Sequence, residues 1–137
     1  MISFFTEEIS FKLKDKAKIK KWIKGICINN SKKPGDINFI FCDDEYLLEI
    51  NKNYLNHDFY TDIITFDQSE NEHQIDADIY ISIDRVTENA QKNSAEFTTE
   101  LHRVMIHGIL HIIGWADKSE NDKIKMRLAE DAALDIL

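Results

Sequence analysis

LHRVMIHGILHIIGWAD, Leu101 to Asp117, is the segment on which the fold turns. Val104, Met105, Ile106, Ile109, Leu110, Ile112 and Ile113 make it apolar on nearly every side, which predicts a helix packed across the face of a sheet. His107 and His111 stand four residues apart and so project from one helix face about one turn apart, within reach of a single metal ion. Placing two imidazoles among so many aliphatic side chains costs on the order of a few kcal/mol unless partners or a metal satisfy them. Gly114 can end the helix with a positive φ and turn the chain back. Asp117 can then swing round as a third ligand. The resulting H-x-x-x-H-x-x-G-x-x-D spacing is the one by which zincin-type metalloenzymes bring in a ligand after a glycine turn. A metallopeptidase, however, carries a glutamate general base directly after its first histidine. Gly108 occupies that place here, which argues against a peptidase.

Working outward, Ile2 to Glu8 has strand character, and Ala17, Ile19, Trp22, Ile23 and Ile26 recur at helical spacing after Asp15, with Asn29, Asn30 and Ser31 as exit residues. Pro34-Gly35-Asp36 signals a turn before a strand from Ile37 to Cys42. Asp43 is placed to cap a helix whose buried stripe is expected to hold Tyr46, Leu47, Ile50, Tyr54 and Leu55. DIITF (Asp62 to Phe66) and ADIYISI (Ala77 to Ile83) read as two further strands around a polar connection. Asp84 is expected to cap a helix from Arg85 to about Ser94. Thr98 or Thr99 is expected to cap the histidine helix, and Ser119 with Asp122 forms a capping-box pattern before a final helix. The order predicts an α+β domain spanning residues 1–137, a small mixed sheet of about four strands covered by about five helices.

Length and composition agree with one core and no linker. The N-terminus carries acids and lysines where a signal peptide needs an apolar run, and no stretch approaches a membrane span, so a cytoplasmic location is expected. Cys27 and Cys42 lack a CxxC partner and read as reduced, packed residues. The net charge of −8 conceals an asymmetry: residues 1–33 hold nine lysines against Glu7, Glu8 and Asp15. Such a basic segment can meet RNA or an acidic partner, although lysine runs also serve as solvated helix faces. His57, His73 and His102 read as packed or surface residues.

The chain resembles the YbeY single-strand endoribonucleases, also described as rRNA maturation factors. Their H-G-x-L-H-L-x-G-Y-D-H signature is matched by His107, Gly108, Leu110, His111 and Gly114, their T-D-V-L-S-F strand by TDIITF (Thr61 to Phe66), and their G-D-I-x-I-S strand by ADIYIS (Ala77 to Ser82). The resemblance implies cleavage of single-stranded RNA in maturation of the small-subunit rRNA 3′ end and in ribosome quality control. It implies one divalent ion, zinc, on His107, His111 and Asp117, with the ribosome or its proteins as further partners. Two departures stand out. Asp117 falls where the family has its third histidine, with Ala116 and Trp115 before it, and Leu55 falls where the family's Y-R-G-K-D segment has its arginine. No protein general base is evident from the sequence; Arg103, one turn before His107, and Arg85 are candidate phosphate contacts. The alternative reading is a non-catalytic ribosome-assembly factor, in which the metal clamps the helix and its loop while the lysine-rich helix binds RNA or a ribosomal protein.

Overall fold

A computed structural model describes residues 1–137. Four strands, β1 (Ile2–Thr6), β2 (Lys33–Cys42), β3 (Ile63–Asp67) and β4 (Gln74–Ser82), form a mixed sheet in the order β1-β2-β4-β3. The first three in that order run parallel, and β3 returns antiparallel along β4 at the edge. Five helices complete the α+β architecture: α1 (Lys16–Asn29), α2 (Asp44–Leu55), α3 (Ile83–Lys92), α4 (Phe97–Ile113) and α5 (Glu120–Asp135).

Strand alternation sorts the two faces of the sheet. Ile37, Phe39 and Phe41 of β2 and Ala77, Ile79 and Ile81 of β4 point to one side, where α1 and α4 bury Ile19, Ile23, Met105, Ile106 and Ile109 against them. Cys42, Ile64, Phe66 and Tyr80 point to the other side and meet Leu47 and Tyr46 of α2. Gly108 allows α4 its close approach, because a Cβ there would lie 2.8 Å from Ile63 Cδ1 and 3.4 Å from Ile79 Cγ2. The histidine helix therefore lies against β3 and β4, as its apolar sequence predicts.

Several local expectations change. Pro34, Gly35 and Asp36 belong to β2, where the register shifts between Pro34 and Ile37, so the turn signal marks a bulge. Asp76 explains it: its Oδ1 accepts from Asp36 N at 2.7 Å and fills the space a Cβ on residue 35 would need. Ser82, not Asp84, caps α3, its Oγ accepting from Arg85 N at 3.2 Å, while Asp84 accepts from Asp44 N at 3.0 Å. Helix α4 starts at Phe97 behind Glu96, with no side-chain cap from Thr98 or Thr99. Asp43 caps α2 as expected, and Ser119 and Asp122 make both bonds of a capping box. Along α2 the buried residues are Leu47 and Asn51, whereas Tyr54 is 72% and Leu55 41% exposed. Tyr54 meets only the edge strand, its ring edge-on to Phe66 with centroids 6.1 Å apart, so most of it stays in water.

Both cysteines are fully buried and unpaired. Burial pushes the Cys27 thiol up to about 11. Burial first, and then the charges of Asp43, Asp44, Asp84 and Glu7, push Cys42 up to about 12. Neither forms a thiolate at neutral pH, so an aromatic disulfide reagent at pH 8 is expected to find no reactive thiol in the native protein and both after unfolding in guanidinium. Rapid reaction before unfolding would contradict this packing.

Candidate metal and RNA site

The site is built where the end of α4, the entry to β3 and the helix α5 meet. Gly114 has φ +121°, and the N–H groups of Gly114 and Trp115 both return to Leu110 O, at 3.1 and 3.0 Å. This closes the helix and sends residues 115–118 back over it. Asp117 consequently comes within 3.6 Å of His107 Nε2 through its Oδ2. His111 lies one turn further along, exposed, on the wall of the same depression.

Two adjoining parts of this depression, of about 350 and 470 Å³, share Asp62, His107 and Asp117. The larger also has Thr61, Thr65, His111 and Lys118 in its wall. The smaller is lined by Arg103, Lys123, Arg127 and Glu130 among others. His107, His111 and Asp117 thus face one space, yet no three His, Cys, Asp or Glu side chains converge to coordination distance.

The orientation of His107 is set from behind. Glu130 Oε2 lies 2.7 Å from His107 Nδ1, and Glu130 Oε1 accepts from Arg103 Nη1 at 3.0 Å. Arg103 Nη2 reaches Asp131 Oδ1 at 2.5 Å. The Glu130 carboxylate is almost wholly enclosed, with 7% of its side chain exposed, and Arg103 retains 15%. With Nδ1 committed as a donor to Glu130, the lone pair of a neutral His107 is on Nε2, facing Asp117 and the open space. Backing of an imidazole by a carboxylate is the usual support of a metal-ligating histidine. The two imidazoles and the carboxylate of His107, His111 and Asp117 are a donor set whose chemistry suits a divalent ion, although the three side chains are not drawn together to coordination distance. In the metal-free protein the Glu130 hydrogen bond, opposed by burial and aided by the charges of Glu130, Asp117 and Asp62, raises the His107 pKa. A proton and a metal therefore compete for Nε2.

Sequence reasoning missed two members of this site. Glu130 comes from α5, where Met126, Glu130 and Ala133 form the buried stripe. A carboxylate at an inward-facing position of an amphipathic helix was the available signal, since buried acids need partners. Asp62, read only as the start of a strand, lines both parts of the depression. Its carboxyl pKa is raised because desolvation outweighs the attraction of His107 and the local backbone N–H groups.

The candidate phosphate contacts are otherwise engaged. Arg85 is held by Asp44 at 2.8 Å and Glu88 at 3.0 Å and does not line the depression; Arg103 lines it but is spent on Glu130 and Asp131. Lys118, Lys123 and Arg127 supply the cations of the rim. His57, His73 and His102 do not line it: His57 stacks on Phe59, and His102 meets Trp22 edge-on. No residue of the lysine-rich α1 lines it either.

The family model described as Endoribonuclease YbeY matches residues 2–137. A Flavobacterium psychrophilum protein named Endoribonuclease YbeY is 50% identical over 134 residues, covering 98% of this chain and 94% of the relative. Its counterpart in Cytophaga hutchinsonii is 47% identical over 135 residues, with the same coverage. The solution structure of a Thermotoga maritima protein superposes with a TM-score of 0.67 at 26% identity, over 98% of this chain and 87% of that one.

Proposed function

The chain belongs to the endoribonuclease YbeY family, and from that premise we propose that it is a metal-dependent, single-strand-specific endoribonuclease. It acts in the cytoplasm on ribosomal RNA precursors, at the small-subunit 3′ end, and in ribosome quality control. The observation that carries the metal-site reading is His107, gripped at Nδ1 by the buried Glu130 and presenting Nε2 to a depression shared with His111 and Asp117.

His107, His111 and Asp117 would hold one zinc ion, a carboxylate variant of a three-histidine site. When bound, such an ion supplies positive charge to a phosphodiester and acidifies a water molecule. Glu130 and Arg103 keep the His107 ring from rotating. Asp62, beside His107 and just before β3, takes a proton from the attacking water at its carboxylate. Lys118, Lys123 and Arg127 attract the RNA backbone to the rim.

A nuclease assay on single-stranded RNA tests this reading. Cleavage is expected from the wild type and is expected to stop with a chelator or with His111→Ala. Products with 2′,3′-cyclic phosphate ends would overturn hydrolysis by water in favour of attack by the RNA's own 2′-hydroxyl. For the ligand set, Asp117→Ala is expected to reduce the metal-to-protein ratio of the purified protein, whereas His57→Ala is not. Equal metal content in the two variants would remove Asp117 from the site.

Leu55 favours the second reading, a non-catalytic assembly factor, because it places an exposed aliphatic side chain where the family pattern has arginine. That reading requires RNA or ribosome binding with no metal-dependent cleavage in the same assay.

A further inference from the structure

Four of the ten large hydrophobic side chains left exposed in this protein fall within residues 54–60: Tyr54 at 72%, Leu55 at 41%, Phe59 at 56% and Tyr60 at 49%. Three are aromatic, and they immediately precede Thr61 and Asp62, which line the depression with His107, His111 and Asp117. Tyr54 and Leu55 close α2, and the loop after it, which carries Phe59 and Tyr60, is tied down from below. Asn51, 1% exposed, accepts from His57 N at 3.0 Å through its backbone oxygen and donates from its Nδ2 to Phe59 O at 2.9 Å. Asn56, in the left-handed region at φ 55°, ends α2 and turns the chain into the loop just before those two bonds. A buried Asn51 thus bonds through both its backbone and its side chain to a loop whose Phe59 and Tyr60 rings are half exposed, while Tyr54 keeps one edge on Phe66. Apolar surface left in water is unfavourable unless something covers it.

The rings are also ordered among themselves. His57 lies against Phe59 with centroids 5.1 Å apart and planes at 22°, and the Arg85 guanidinium sits 5.5 Å from the Tyr60 centroid while Tyr60 Oη bonds Glu45. Around them the charge is acidic: Glu45, Glu49, Asp44 and Asp58 are all close, and the nearby cations Lys52 and Arg85 are paired with them or with Glu88. Phosphates are repelled from such a surface, but the uncharged faces of nucleobases are not. The cations that escape pairing with buried or neighbouring carboxylates, Lys118, Lys123 and Arg127, lie on the depression itself and on its α5 side. An aromatic, acidic edge and a basic edge therefore flank the same pocket.

The geometry points to the segment Tyr54–Tyr60, the end of α2 and the loop pinned by Asn51, as a stacking platform for unpaired bases of an RNA strand whose backbone crosses the pocket along Lys118, Lys123 and Arg127. This rests on the RNA-nuclease reading above and deepens it, because only a strand with its bases splayed from a helix can lay them on aromatic rings. Single-strand preference then resides in the loop, and the pocket need only accept a phosphodiester.

Equilibrium binding of the full chain to a fluorescent single-stranded oligouridylate, and to a ribose-phosphate strand of equal length without bases, separates the two edges. Phe59→Ala and Tyr60→Ala are each expected to weaken oligouridylate binding roughly tenfold, the scale of one lost base–aromatic stack, and to leave the baseless strand unaffected. Phe59→Leu, which keeps an apolar side chain but no π face, is expected to behave like Phe59→Ala. Lys123→Ala with Arg127→Ala is expected to weaken both strands alike and to flatten the salt dependence. Wild-type affinity for oligouridylate in Phe59→Ala and Tyr60→Ala would overturn the platform while leaving the nuclease reading intact. The same result accompanied by lost binding to ribosomal protein would assign the loop to a protein partner. Failure of the wild type to bind or cleave any RNA would overturn both readings together.

Discussion

Glu130→Ala is expected to lower folding stability by about 3–5 kcal/mol, the scale for removing one partner from a buried ion pair, and to weaken zinc binding about 10- to 100-fold. Both effects have one origin. The carboxylate accepts from Arg103 at 3.0 Å and engages His107 Nδ1 at 2.7 Å in a nearly solvent-free position. Alanine leaves the guanidinium with only Asp131, which is half exposed, and leaves Nδ1 without a partner. The imidazole can then rotate or take the other tautomer, which turns its lone pair away from the pocket. Denaturant unfolding of the metal-free protein reads the first effect, and competition with a chromogenic chelator reads the second. Glu130→Gln keeps an oxygen for Nδ1–H but loses the charge that Arg103 requires, so it is expected to retain more metal affinity than stability. Wild-type zinc affinity in Glu130→Ala would show that His107 is not oriented by this contact.

Asp62→Asn is expected to cut RNA cleavage by about 10²- to 10⁴-fold, the contribution usual for a positioned general base, with metal content unchanged. It is also expected to make the metal-free protein more stable at pH 7. The signs follow from the raised pKa of Asp62, which burial causes and the attraction of His107 only partly offsets. A carboxyl whose folded pKa exceeds its unfolded value binds its proton more tightly in the native state, so stability falls as pH rises through that interval. At neutral pH the ionised Asp62 costs stability, and a neutral amide of the same shape removes the cost. Carboxyl-resolved NMR titration of the metal-free protein is expected to place Asp62 above the ordinary Asp value of about 3.9. Full cleavage by the Asp62→Asn variant would return the role of proton acceptor to some other group.

The local instructions in this chain were legible where one short range of contacts decides the outcome. The apolar run with His107, His111 and Gly114 could only be a buried helix with a glycine exit, and it is one, closing on Leu110 O. Asp43, Ser119 and Asp122 cap as their spacing requires because a cap needs only its own helix. Pro34-Gly35 misled for a complementary reason. Its turn chemistry is local, but Asp76 on the neighbouring strand recruits it into a bulge. Tyr54 and Leu55 continue a helical stripe on paper, yet Tyr54 reaches only the edge strand, its ring edge-on to Phe66, and both side chains stay exposed, because no periodicity reports where a partner surface thins out.

By itself, then, the sequence determined an α+β chain with the two histidines on one buried helix and Asp117 returning over it, since those features depend on spacing and on backbone freedom at Gly114. Tertiary structure alone decided what stands around them. Glu130 and Asp62 lie 23 residues after and 45 before His107 in the chain, and only the packing of α5 and β3 against α4 brings them to its side. Arg103 looked available to a phosphate until that same packing gave it two carboxylates. Charge and hydrogen-bond partners act through space, so the chemistry of an individual side chain is settled only once the fold has chosen its neighbours.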